Sequence, residues 1–150
     1  MKYLLIALTS VIILLAGCNG DSPATTGPTT YLVPGTEVST PNGSYWRITP
    51  AQLVAMRRAE FFLVCVDEQP SMIIGGTSTD TFVKYSEINQ NLDRFPADKN
   101  RRVVVYCIAG VTSQSAAEAL VTAGYTQVMH LDGGTMNWQN QGYPAAMYNP

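Results

Sequence analysis

Two short stretches of this chain are apolar without interruption, Phe61-Phe62-Leu63-Val64-Cys65-Val66 and Val103-Val104-Val105-Tyr106. A strand with one wet face alternates apolar and polar residues, so unbroken runs of this length, bounded by Asp67, Glu68 and Pro70 in the first case, belong to strands buried on both faces. Such strands need a covering layer on each side, and the segments between them supply it. Thr49 followed by Pro50 is an N-cap with proline at the first helical position, opening a helix over Ala51 to Ala59. Ser86 caps a short helix through Leu92. Ser113 to Ala123 is apolar at Ala116, Ala119, Leu120 and Ala123, and Gly124 stops it. Trp46-Arg47-Ile48 is a short extended piece, the second run begins at Arg102, and Val128 to Leu131 is a further strand. Gly133-Gly134 then makes a tight turn into a last helix over Thr135 to Asn140. Strand–helix alternation predicts an α/β domain with a mostly parallel sheet covered on both faces.

The chain has 150 residues, 46% hydrophobic and 13% charged, enough apolar material for one packed domain. Its net charge of -2, with Arg57-Arg58 and Arg101-Arg102 as isolated pairs, gives no electrostatic basis for binding nucleic acid. Lys2 precedes an apolar run from Tyr3 to Ala16, broken only by Thr9 and Ser10. That run is short for a span, which takes about 20 apolar residues, and reads as an export signal. It ends in Leu15-Ala16-Gly17-Cys18, which resembles a bacterial lipobox, with Cys18 as the thiol that takes the lipid. From Asn19 to Gly43 the chain is rich in Ser, Thr, Pro and Gly, and has too few large apolar residues to offset its ordering entropy. The expected organisation is a signal peptide over 1–17, a flexible tether over 18–43 and a folded domain over 44–150. The lipid on Cys18 would hold that domain at the outer face of a bacterial membrane.

In open α/β sheets ligands gather at the carboxyl ends of strands, and Cys107 stands at such an end, directly after the second apolar run. The segment Cys107-Ile108-Ala109-Gly110-Val111-Thr112-Ser113 leads from strand to helix. Successive N–H groups in such a turn converge on one point, and the helix that follows adds its own unpaired N–H groups. A cysteine at that focus is expected to ionise more easily than a free thiol, and only the thiolate is a good nucleophile. Gly110 allows the loop to curl, and Thr112 and Ser113 offer hydroxyls to the sulfur or to a helix cap. On this chemistry alone a packed, inert cysteine remains the competing assignment.

The segment from Cys107 to Thr112, in the form Cys-x-x-Gly-Val-Thr, resembles the active-site loop of the rhodanese family of sulfurtransferases. A second family-like segment follows, Leu131-Asp132-Gly133-Gly134-Thr135-Met136-Asn137-Trp138 and then Gly142-Tyr143-Pro144, and the likeness runs from about Tyr45 to Ala145. The resemblance implies a rhodanese-like fold, a central, mostly parallel five-stranded sheet with helices on both faces. It also implies a two-step reaction. The Cys107 thiolate takes sulfane sulfur from a small donor as a persulfide, and a thiol-type acceptor removes it. Residues Ile108, Ala109, Gly110, Val111, Thr112 and Ser113 would form the substrate-binding loop, whose amides stabilise the charged persulfide without a metal or organic cofactor. The domain is expected to act as a monomer.

Several positions depart from the family pattern. Ile108 and Ala109 stand where members often carry Arg or Lys, so the apolar rim favours a neutral or thiol-bound donor over thiosulfate. Cys65 and Asp67 occupy the places of an Asp and an Arg, and Met72-Ile73-Ile74-Gly75-Gly76 only approximates the usual His-Ile-Pro-Gly region. These changes keep a second function in view, a catalytically degenerate binding or sulfur- and redox-sensing module. A phosphatase is disfavoured because its longer loop closes on an arginine, where Thr112 and Ser113 stand here. Cys65 is read as a packed hydrophobe, with a disulfide to Cys107 as the alternative for an exported protein. His130, the single histidine, is read as structural, and Trp138 as core. Neither a Cys-x-x-Cys pair nor a metal-ligand cluster is present in the sequence.

Overall fold

The computed structural model describes residues 35–56, 58–74 and 79–148. The export signal, the lipobox with Cys18 and the first part of the tether lie outside the described residues, as do Gly75 and Gly76. In chain order the elements are β1 (Thr36–Thr40), β2 (Gly43–Ile48), α1 (Pro50–Ala55), β3 (Phe62–Cys65), β4 (Met72–Ile74), β5 (Thr81–Phe82), β6 (Val103–Tyr106), α2 (Val111–Thr122), β7 (Val128–Leu131), α3 (Gly134–Asn140) and β8 (Ala145–Met147). Short 3-10 segments occupy Arg58–Glu60, Tyr85–Gln90 and Leu92–Arg94.

The main sheet has the order β1-β2-β7-β6-β3-β5. The five strands from β2 to β5 run parallel, and β1 adds antiparallel to β2. The sheet therefore has six strands where five were expected, and the extra one lies inside the stretch assigned to the tether. That assignment weighed apolar content, yet an edge strand needs little of it. Thr36 to Thr40 pairs its backbone with β2, and Val38 alone packs against the core. A separate two-stranded ribbon joins β4 to β8.

Side chains of β3 and β6 are buried on both faces, as their unbroken apolar runs require, and those of β7 are buried as well, His130 included. One face carries Val64, Val66, Val103, Val105 and Val128, covered by Ala116, Ala117, Leu120 and Val121 of α2 and by Ile88 and Phe95. The other carries Leu63, Cys65, Val104, Tyr106, Met129 and Leu131, covered by Leu53 and Met56 from α1 and its end, and by Trp138 of α3. The Trp138 indole is buried and donates to the Pro144 carbonyl at 2.8 Å, which satisfies its one polar atom.

Helix α1 starts as its sequence dictates. Thr49 Oγ1 accepts the Gln52 N–H and Gln52 Oε1 accepts the Thr49 N–H at 2.8 Å, a reciprocal cap with Pro50 at the first turn. It ends four residues early, because Met56 turns extended and Arg58 to Glu60 form a separate 3-10 turn. Ser86 caps no helix. Its hydroxyl donates to Glu68 Oε1 at 2.7 Å, and the segment around it is 3-10. Helix α2 opens at Val111, two residues before the expected start, from a Gly110 with φ 88°.

Candidate active site

Strand β6 lies between β3 and β7, so Cys107 emerges from the carboxyl end of a central strand. Three features set its surroundings. The Gly110 N–H donates to Cys107 Sγ at 3.0 Å and the Ser113 N–H at 3.4 Å. Ser113 Oγ stands 3.5 Å from the same sulfur, donates to the Gly110 carbonyl at 3.1 Å, and lies 3.5 Å from His130 Nδ1. The sulfur thus sits over two inward-pointing amides, one from the curl and one from the first turn of α2. Negative charge on sulfur is favoured at such a point.

The amides point inward because the loop's carbonyls are held elsewhere. Thr135 N–H donates to the Cys107 carbonyl at 2.9 Å, and Met136 N–H donates to the Ile108 carbonyl at 3.0 Å. These are orphan donors of the first turn of α3, so the second sequence motif exists to clamp the first. The approach is close enough to require glycine on both sides. A β-carbon on Gly134 (φ 57°) would overlap the Cys107 carbonyl oxygen, and one on Gly110 would lie 2.8 Å from the Gly133 nitrogen.

Above the sulfur is a pocket of about 150 Å³ lined by Asp67, Cys107, Ile108, Ala109, Val111 and Thr112. Ile108 is 39% and Val111 71% exposed, and they give its mouth an apolar rim. Gly110 and Ser113 do not line it. Both are buried and contact the sulfur from the protein side. Of the six expected loop residues, four therefore form the pocket wall and two form the sulfur's support.

Sequence reasoning treated Asp67 only as a departure from a pattern, whereas the fold brings it to the pocket. Its Oδ1 accepts the Ile108 N–H at 3.1 Å, and its Oδ2 accepts from the Cys65 thiol at 3.6 Å. Burial raises the Asp67 carboxyl above its ordinary value, against the opposing effects of the Ile108 amide and the Cys65 thiol. The spacing of Asp67 from Cys107 in the chain carries no sign of this contact. Only the pairing of β3 beside β6 creates it.

Cys65 is not a partner for Cys107. Both are free thiols, and they occupy opposite faces of the sheet, Cys65 with Tyr106 and Leu63 and Cys107 with Val105 and Val66. A disulfide would require one strand to turn over, because side-chain direction alternates along a strand. Burial pushes the Cys65 thiol up to about 12, which leaves it protonated and inert. His130 is buried against Tyr45, ring centroids 5.6 Å apart and edge to face, and burial lowers its pKa so that it stays neutral near pH 7. Among the described residues no three His, Cys, Asp or Glu side chains gather as metal ligands, and no helix is long and apolar enough to cross a membrane.

A parallel α/β sheet with a cysteine at the carboxyl end of a central strand, ringed by loop amides, defines a class of anion-stabilising thiol sites. The family is settled by comparison: the rhodanese-like domain model matches residues 51–141, and the chain belongs to that family. It is 36% identical over 101 residues to the thiosulfate sulfurtransferase GlpE of Pseudomonas fluorescens, covering 66% of this chain and 88% of that one. A GlpE of Stutzerimonas stutzeri matches equally, at 36% over 101 residues and the same coverage. The fold is also that of a rhodanese-related protein of Thermoplasma volcanium, with TM-score 0.56 and 22% identity over 67% of this chain and 96% of the other. Membership supports sulfur transfer as the general chemistry.

Proposed function

We propose that the protein is a lipid-anchored, extracytoplasmic sulfurtransferase that forms a persulfide on Cys107 and passes its outer sulfur to a thiol acceptor. The observation that carries this is the pair of amides, from Gly110 and Ser113, aimed at Cys107 Sγ beneath an open pocket. In the first half-reaction the thiolate displaces the donor's leaving group from a sulfane sulfur. In the second, an acceptor attacks the outer sulfur and Sγ leaves as thiolate, so ping-pong kinetics are expected. The amides stabilise the anionic sulfur in both resting states, and no proton need be lost from the loop itself. The bare apolar rim of Ile108, Ala109 and Val111 suits an organic donor better than a small dianion.

The test is intact-mass spectrometry after incubation with a sulfane-sulfur donor. An adduct of one sulfur atom, about 32 Da, is expected on the wild type, removable by thiol and absent from Cys107→Ser. A folded protein that takes no adduct from several donors would instead be a rhodanese-like binding or sensing module, for which the altered positions Cys65 and Asp67 speak. Anchoring follows from Leu15-Ala16-Gly17-Cys18. Incorporation of a labelled fatty acid, lost in Cys18→Ser together with membrane retention, is the expected result. The domain is proposed to work as a monomer, since one chain supplies every group named at the site.

A further inference from the structure

Asp67 is the one carboxylate lining the Cys107 pocket, and no basic side chain lines it. Its carboxylate is fixed on both sides, by the Ile108 amide from the loop after β6 and by the Cys65 thiol at the end of β3. The neighbouring Glu68 is engaged with Ser86. A fixed negative charge in a small pocket has two consequences. It repels a dianionic donor such as thiosulfate, whose charge would sit at close quarters with the carboxylate. It also offers a proton acceptor and donor to a sulfur substrate that carries a proton, and burial, which raises the carboxyl, brings it nearer to the range where that exchange is efficient.

We propose that Asp67 is the specificity-determining acid–base group of this site, committing Cys107 to organic persulfides as donors and thiols as acceptors, and away from thiosulfate. The assignment rests on sulfur transfer at Cys107. In the loading step the Cys107 thiolate attacks the outer sulfur of R–S–SH. The Sγ–S bond forms, and the S–S bond of the donor breaks with its electron pair left on R–S. The proton of the outer sulfur passes through the Asp67 carboxylate to R–S. The products are R–SH and the Cys107 persulfide anion. Unloading is the reverse with a different thiol: Asp67 takes the proton of R′–SH, the thiolate attacks the outer sulfur, and the proton is returned to that sulfur as R′–S–SH leaves. Sulfur moves at constant oxidation state, so no oxidant or reductant enters. Thiosulfate needs no such proton, because its leaving group departs as sulfite.

The experiment measures kcat/KM on the full chain with glutathione persulfide and with thiosulfate as donors and cyanide as common acceptor, for the wild type, Asp67→Asn and Asp67→Glu. Asn keeps a carbonyl oxygen for the Ile108 N–H, so the loop contact survives. The wild type is expected to prefer glutathione persulfide. Asp67→Asn should lower kcat/KM for that donor by about tenfold or more and raise it for thiosulfate by about tenfold, reversing the ratio. Asp67→Glu should keep the wild-type order. A wild type that prefers thiosulfate overturns the proposal even if Asp67→Asn fails to fold. So does an Asp67→Asn that changes both donors equally, which would mark a merely structural role. A Cys107 persulfide that forms with both of these outcomes leaves sulfur transfer standing and removes only Asp67. Failure of any donor to load Cys107 in the wild type removes both.

Discussion

Cys65 pairs with Tyr106 across β3 and β6, one residue before Cys107, so the pleat sends the two thiols to opposite faces. One ends beneath an open pocket with two amides on its sulfur, the other in a packed cluster with its thiol turned to Asp67. Alkylation of the native protein at pH 8 is therefore expected to modify Cys107 and spare Cys65, with both reacting once the chain is unfolded. Peptide mapping after a short iodoacetamide pulse reads this directly. A Cys65–Cys107 disulfide in the non-reduced protein would contradict the face assignment. Cys65 also shows how a departure from a family pattern acquires meaning. In sequence it looks like a lost charge, and in the fold it holds the carboxylate that replaces it at the site.

Between elements, the decisive contact is α3 against the loop after β6. Two N–H groups from the first turn of α3 hold the Cys107 and Ile108 carbonyls, which leaves the loop's own amides for sulfur. Gly134 makes this possible, since any β-carbon there strikes the Cys107 carbonyl oxygen. Gly134→Ala must displace the loop or α3. It is expected to cost about 2 kcal/mol or more of stability and to reduce persulfide formation on whatever fraction remains folded. Denaturant unfolding and intact-mass measurement of the adduct check the two effects separately. A Gly142→Ala control meets open space on the β-carbon, bears only the left-handed backbone strain, and should leave adduct formation intact.

For the domain as a whole, acid sensitivity follows from the buried imidazole on β7. Burial is the main cause that lowers His130, opposed by Asp132 and reinforced by Arg47. The unfolded chain takes up the proton near the ordinary value of 6.5, while the folded state resists it until a lower pH. Between those two values the unfolded state binds more protons, so stability is full above about pH 6.5 and falls as pH drops through the window. Urea titrations at pH 7.5 and 5.5 are expected to show a larger loss for the wild type than for His130→Gln, whatever the variant's own stability. Equal losses would place the acid-sensitive group elsewhere.

The unbroken apolar runs, the Thr49-Pro50 cap and the glycine-bearing loop after Cys107 are local statements, and they sufficed for the parallel sheet, its helical cover and the position of Cys107 at the carboxyl end of a central strand. Strand pairing is not local. That Thr36–Thr40 closes the sheet edge depends on backbone hydrogen bonds to β2, which composition does not encode. That Asp67 faces Cys107, that Cys65 turns away from it, and that the Gly133-Gly134 turn clamps the loop 26 residues earlier all depend on register and face, set when β3, β6 and α3 pack together. A chain pattern places Cys107 at the mouth of the loop. The charge beside it comes from Asp67, just after β3 and 40 residues earlier in the chain, and only packing brings the two into one pocket.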